Sequence, residues 1–148
     1  MEKIMNKIKE IRENEGSMLD AFMAVQAELG YLAPEAITAI AGIYDTTEAQ
    51  VYETASFYSY LYLEPVGKHV IRVCRSAPCC AAGALEVTEM IGRRLGIGIG
   101  ETTEDGLFTL IEGECVGQCA KAPVITVDRK VYGPLTEELL EEIIGQYC

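Results

Sequence analysis

Apolar side chains recur at helical intervals through the first sixty-odd residues and at strand-like intervals after them. Ile4, Ile8 and Ile11 fall three and four apart with Lys and Glu between them, which predicts an amphipathic helix. Asn14-Glu15-Gly16 breaks that pattern, and Ser17 is placed to cap a second helix bearing Leu19, Phe22, Met23, Gln26 and Leu29 before Gly30 stops it. Pro34 suits the first position of a third helix with Ile37, Ile40 and Ile43. Thr47-x-x-Gln50 has the form of a capping box for a fourth, through Val51, Ala55 and Phe57. Pro65 and Gly67 mark a boundary, so the expectation is an N-terminal helical bundle over residues 1–66 and a second domain over 67–148.

Beyond the boundary His69–Cys74 reads as a strand, and Ala81–Leu95 as a helix burying Leu85, Met90 and Ile91. Short apolar stretches follow at Ile97–Ile99, Leu107–Ile111 and Val124–Val127. Asp128-Arg129 is read as a hairpin turn into Lys130-Val131-Tyr132. Thr136 then caps a last helix, Glu137 to Gln146, with Leu139, Leu140, Ile143 and Ile144 inward. Strand, helix, strands and helix in this order predict an α+β fold, a small sandwich of thioredoxin type with a mixed sheet.

Charge and cysteine content narrow the chemistry. With 23 acidic against 12 basic side chains in 148 residues, the formal charge is −11, which argues against phosphate-backbone binding and against anionic membrane surfaces. The start of the chain lacks the apolar region of a secretory signal, no run is long enough to span a bilayer, and a cytoplasmic location is expected. In that compartment thiols stay reduced, so six cysteines suggest metal ligation before disulfides.

Two cysteine pairs stand out, Cys74-x4-Cys79 and Cys115-x3-Cys119, separated by 35 residues. Each lies in a loop after a predicted strand, so the loops can meet at one end of the sheet. Four converging thiolates suit a [2Fe–2S] cluster, two cysteines to each iron. Gly117 permits a tight bend that brings backbone N–H groups to sulfur, and the helix after Cys79 would add a favourable dipole at its N-terminus. A structural zinc site on four cysteines uses the same ligands, although its knuckles usually have shorter spacings. The plant-type ferredoxin pattern fails because position 82 is alanine, and no C-x-x-C motif for thiol exchange exists. Cys80 and Cys148 are left as spare thiols. Arg72 and Arg75 would raise a cluster's potential if they face it, and are otherwise solvated cations.

Other motifs carry less. Gly96-x-Gly98-x-Gly100 lacks the third glycine of a dinucleotide loop, Glu101 standing in its place, and it follows a helix; it is read as a connection. His69 has no partner set for catalysis, and no paired carboxylates suggest hydrolysis. Tyr52, Tyr58, Tyr60 and Tyr62 crowd one short stretch and are read as a partner-binding face.

Val73-Cys74-Arg75-Ser76-Ala77-Pro78-Cys79, the stretch Gly96 to Leu110 containing Gly100-Glu101-Thr102-Thr103-Glu104-Asp105-Gly106, and Glu114–Cys119 with Ala122-Pro123 together resemble one family. It is the E-subunit (NuoE-like) family of NADH-quinone oxidoreductase, the thioredoxin-like [2Fe–2S] ferredoxins. Gly30-Tyr31-Leu32, Phe57-Tyr58 and Pro65-Val66-Gly67-Lys68 extend the likeness upstream. The resemblance places the ligands of one [2Fe–2S] cluster on Cys74, Cys79, Cys115 and Cys119. It implies a partner subunit that binds FMN and NAD(P)H, in a complex of the NADH dehydrogenase, hydrogenase or formate dehydrogenase type. The chain would then be an electron-transfer subunit without a complete catalytic site of its own. One departure is visible: Cys80-Ala81-Ala82 stand where the family often has bulkier residues.

Overall fold

A computed structural model describes residues 2–148 and divides the chain into two compact units, one ending at Pro65 and the other running Val66–Cys148. No helix among the described residues is long and apolar enough to cross a membrane.

The first unit is four helices: α1 (Glu2–Glu13), α2 (Met18–Leu29), α3 (Pro34–Tyr44) and α4 (Glu48–Ser56). Local chemistry sets their ends. The Ser17 hydroxyl accepts the Asp20 N–H while the Asp20 carboxylate accepts the Ser17 N–H, a reciprocal cap made with aspartate instead of the usual Glu or Gln. Thr47 caps α4 through the Gln50 N–H, but the Gln50 side chain turns to the Thr46 hydroxyl, so the expected reciprocal box is only half made. Ile4, Ile8, Phe22, Val25, Leu32, Ile37, Ile40 and Val51 form the core. Met23 and Leu29 lie on the outer side of α2, exposed, and Phe57, expected within the fourth helix, falls just past its end at 83% exposure.

The segment after α4 is pinned by one side chain. Gln26 donates through Nε2 to the Tyr60 carbonyl at 2.7 Å and accepts the Tyr62 N–H at Oε1 at 2.7 Å. The Leu32 N–H donates to the Tyr62 carbonyl. The aromatic stretch is therefore held in one shape by α2, with Tyr52, Phe57, Tyr58 and Tyr60 presented at the surface.

The second unit is a four-stranded mixed sheet in the order β2-β1-β3-β4 with two long helices packed on it. β1 (His69–Cys74) pairs in parallel with β2 (Phe108–Gly113) and antiparallel with β3 (Ile125–Val127), which pairs antiparallel with β4 (Lys130–Tyr132). Asp128, at φ 55°, makes the turn between β3 and β4, and its carboxylate accepts the Val70 N–H and meets His69 Nδ1 at 2.8 Å.

The predicted helix over Ala81–Leu95 is two: α5 (Ala77–Ala81) and α6 (Ala84–Leu95). Ser76 and Pro78 start α5 early, and Gly83, at φ 101°, separates the helices. That break turns the face of α6, so Ala84, Val87 and Ile91 are buried while Leu85 is exposed. The last helix, α7 (Glu137–Tyr147), buries Leu140, Ile143 and Ile144, and its Glu141 pairs with Arg94 of α6.

Ile97–Ile99 forms no strand; the stretch after it lies along the outer edge of β2. Gly100 donates its N–H to the Leu110 carbonyl, Leu110 donates to Glu101, and Thr103 donates to Phe108. Beneath it the buried Thr109 hydroxyl accepts the Gly67 N–H at 2.6 Å and meets the Thr102 hydroxyl at 2.7 Å. The Thr103 hydroxyl and Asp105 carboxylate hold the Leu107 N–H, closing the turn into β2. The glycine-rich run is thus an edge cover for the sheet.

Candidate metal centre

Parallel pairing brings the cysteines together. β1 and β2 run side by side and end together, Cys74 opposite Gly113, so the loops carrying Cys79 and Cys115 leave the sheet at the same edge. Two backbone bonds fix the exit: Cys74 donates its N–H to the Val124 carbonyl at 3.1 Å, and Arg75 donates to Gly113 at 3.0 Å. The segment preceding β3 therefore joins the same edge and carries Cys119, which opens a single 3-10 turn, Cys119–Lys121.

The four sulfurs come as two pairs. Cys74 and Cys79 belong to the buried core, 4% and 1% exposed, and each influences the ionisation of the other. Cys115 and Cys119 are exposed, with sulfurs 3.6 Å apart. Two thiolates bound to one tetrahedral metal at about 2.3 Å stand about 3.8 Å apart, so the second pair is already near ligating geometry. Among the described residues no three Cys, His, Asp or Glu side chains are gathered around one point for a single ion. A two-iron cluster asks for two cysteines at each iron, and that is the arrangement of these pairs.

Each pair has donors aimed at it. The Gly117 N–H points to Cys115 Sγ at 3.4 Å, an approach made possible by φ 76° at Gly117. The Ser76 hydroxyl lies 3.0 Å from Cys74 Sγ. Burial opposes ionisation of Cys74, but the hydroxyl and backbone N–H of Ser76 and the Cys79 thiol outweigh it and hold Cys74 below the usual thiol range. Burial and the neighbouring Cys74 push Cys79 up. At the exposed pair the Gly117 N–H, aided by Cys119 and Ser76, holds Cys115 down, and Cys115 in turn pushes Cys119 up. One sulfur of each pair is thus shifted toward the thiolate and its neighbour away from it.

The remaining expectations are met differently. Cys79 lies within the five-residue α5 itself, and the helix that follows it, α6, starts only at Ala84, after the Gly83 break. Cys80 is exposed and directs its sulfur to the Arg75 carbonyl at 3.3 Å, and Cys148 is exposed at the end of α7. Arg75 pairs with the Glu112 carboxylate, which screens its charge, while its Nε–H is buried without an acceptor. Arg72 is no solvated cation: it is 5% exposed on β1, its stem against Gly113. Two contributors are not evident from sequence pattern. Ser76 reads there only as a small loop residue, though a serine before x-Pro marks a helix start. Gly133 sits against the Cys119–Lys121 turn, where an added Cβ would stand 2.4 Å from the Lys121 carbonyl oxygen.

The donor set, its pairing and its N–H partners all fit an iron–sulfur cluster. The family model of thioredoxin-like [2Fe-2S] ferredoxins matches residues 1–148. The chain belongs to that family. It is 41% identical over 118 residues to the E subunit of NADH-quinone oxidoreductase from Rickettsia felis, covering 80% of this chain and 71% of that protein. It is 34% identical over 144 residues to the NADP-reducing hydrogenase subunit HndA of Solidesulfovibrio fructosivorans, covering 97% and 84%. The fold matches a crystal structure of NAD+-reducing [NiFe]-hydrogenase in the air-oxidized state, with a TM-score of 0.74 at 17% identity over 85% of this chain. The chain spans 22% of the length of that hydrogenase chain. Membership makes the chain an iron–sulfur protein of the electron-transfer kind, and it accords with the α+β architecture described above.

Proposed function

We propose that Cys74, Cys79, Cys115 and Cys119 hold one [2Fe–2S] cluster, and that the chain is the electron-transfer subunit of an NAD(P)H-linked oxidoreductase complex. The observation that carries this reading is the pairing of the sulfurs at the shared end of two parallel strands. Subunits of an NADH-quinone oxidoreductase and of an NADP-reducing hydrogenase among its relatives support the assignment to a complex. A bound cluster supplies one-electron chemistry, and the protein supplies ligands, burial and hydrogen bonds. Hydride chemistry delivers electrons in pairs, so a flavin (FMN) on the partner subunit, beside NAD(P)H, is the converter this role requires. In this chain Cys74 and Cys79 anchor the cluster in the core, and Cys115 and Cys119 leave its other side open for electron exchange.

Anaerobic purification of the chain, with iron, sulfide and zinc analysis and an EPR spectrum after dithionite, tests the cluster. Two irons and two sulfides per chain with one S = ½ signal are expected. About one zinc per chain and no paramagnetic signal would leave a zinc-stabilised interaction module on the same four cysteines instead.

The first unit, in this proposal, docks on the flavin-binding subunit through Tyr52, Phe57, Tyr58 and Tyr60. Exposed aromatics in a shape fixed beforehand lose little freedom on binding, and interfaces favour them. A tagged Phe57→Glu chain expressed in its native host is expected to recover at least tenfold less flavin than the wild type. Its own iron content should not change. Equal flavin recovery from both would remove this face from the interface.

A further inference from the structure

Ser76 occupies the N-cap position of α5, where a serine hydroxyl normally accepts a backbone N–H from the first turn. Here it makes no such bond. The residue two places on is Pro78, which has no N–H to give. The hydroxyl is instead 3.0 Å from Cys74 Sγ, beside a sulfur pair that is almost fully buried. A ligating thiolate has no proton, so between these two atoms only the hydroxyl can donate. The Gly117 N–H serves the exposed pair, while at the buried pair a side-chain hydroxyl, that of Ser76, approaches the Cys74 sulfur.

We infer that Ser76 is a tuning residue: its hydroxyl donates a hydrogen bond to the Cys74 sulfur and makes the site easier to reduce. The inference rests on the reading of Cys74 as a cluster ligand. Reduction adds negative charge at the sulfurs, and a donor aimed at one of them stabilises the more negative state more than the less negative one. In a buried setting that difference is large, because water does not replace a lost donor. The presence or absence of a hydroxyl at this position would therefore set the potential without touching the ligands.

The test is an EPR-monitored redox titration of wild-type, Ser76→Ala and Ser76→Thr chains, with iron and sulfide measured on each. Alanine is expected to lower the equilibrium constant for reduction about tenfold, a shift of about 59 mV for a one-electron couple. Threonine keeps the hydroxyl and is expected to restore most of that shift. ENDOR on the reduced protein in D2O should show an exchangeable proton near the cluster in wild type and Ser76→Thr, and its loss in Ser76→Ala. Full iron content with an unchanged potential in Ser76→Ala overturns the inference. So does a Ser76→Ala chain that fails to load iron, since the hydroxyl would then serve assembly instead of potential. A wild-type chain without iron and sulfide is a separate result, and strikes the cluster assignment itself.

Discussion

A chain carrying Cys79→Ala is expected to lose its iron, falling at least tenfold below wild type and showing no S = ½ signal after reduction. Changes to residues that merely support metal ligands cost about 10–100-fold in metal affinity, so removal of a ligand sets the floor of the effect. Cys79 is 1% exposed, inside the core, with Cys74 as its immediate partner. With the proposed ligand set, alanine would leave one iron with a single cysteine. Cys80 is the nearest in sequence, yet on a helix adjacent residues point about 100° apart, and its sulfur is engaged with the Arg75 carbonyl at 3.3 Å. Cys80→Ala should therefore keep its full iron content and serve as the control. Metal binding is also folding free energy, so the melting temperature of Cys79→Ala should no longer respond to iron loading. Two irons retained with an unaltered spectrum in Cys79→Ala would remove it from the ligand set.

Gly133→Ala is expected to destabilise the second unit by about 3 kcal/mol, which for a domain of this size lowers the melting temperature by roughly 10–20 °C. A methyl there would stand 2.4 Å from the Lys121 carbonyl oxygen, 3.1 Å from the Pro123 carbonyl oxygen and 3.1 Å from Val124 Cγ2. Two of these are main-chain atoms that cannot swing aside. The contact falls on the turn that begins at Cys119 and on the segment whose Val124 carbonyl holds the Cys74 N–H. Relief of the clash must therefore move either Cys119 or the end of β1. Iron loss on incubation with a chelator should be faster than in wild type even well below the melting temperature. A Gly133→Ala chain that melts and releases iron like wild type would show that the close approach does not exist in solution.

Helix starts are the most legible feature of this chain. Ser17, Pro34, Thr47 and Thr136 act on atoms within three or four residues of themselves, so a short stretch of sequence contains the whole interaction. Where pattern and structure part, the deciding contact is elsewhere. Apolar spacing over Ala81–Leu95 suggests one helix, but Gly83 and the proline at 78 divide it and rotate the buried face, leaving Leu85 in solvent. Gln26 has the spacing of a helix-face residue and is instead a two-sided clamp on residues 34 and 36 positions away. The cysteine pairs are readable from spacing because a pair is local. That one pair is core and the other surface is not, since burial depends on how β1, β2 and the Val124 segment converge. Gly133 is silent for the same reason: nothing near it in sequence shows which carbonyl it faces.

The Gly100–Thr103 segment along β2 has a consequence for the life of the chain on its own. A bare sheet edge invites strands from other copies and so seeds aggregation. On one side of this sheet that invitation is withdrawn by the hydrogen bonds of Gly100, Glu101 and Thr103 to β2. On the other, β4 is three residues long, bears Lys130 and runs into Gly133-Pro134, which makes it too short and too charged to template a partner. Within this unit, then, neither edge of the sheet offers a long bare row of backbone groups to a strand from another copy.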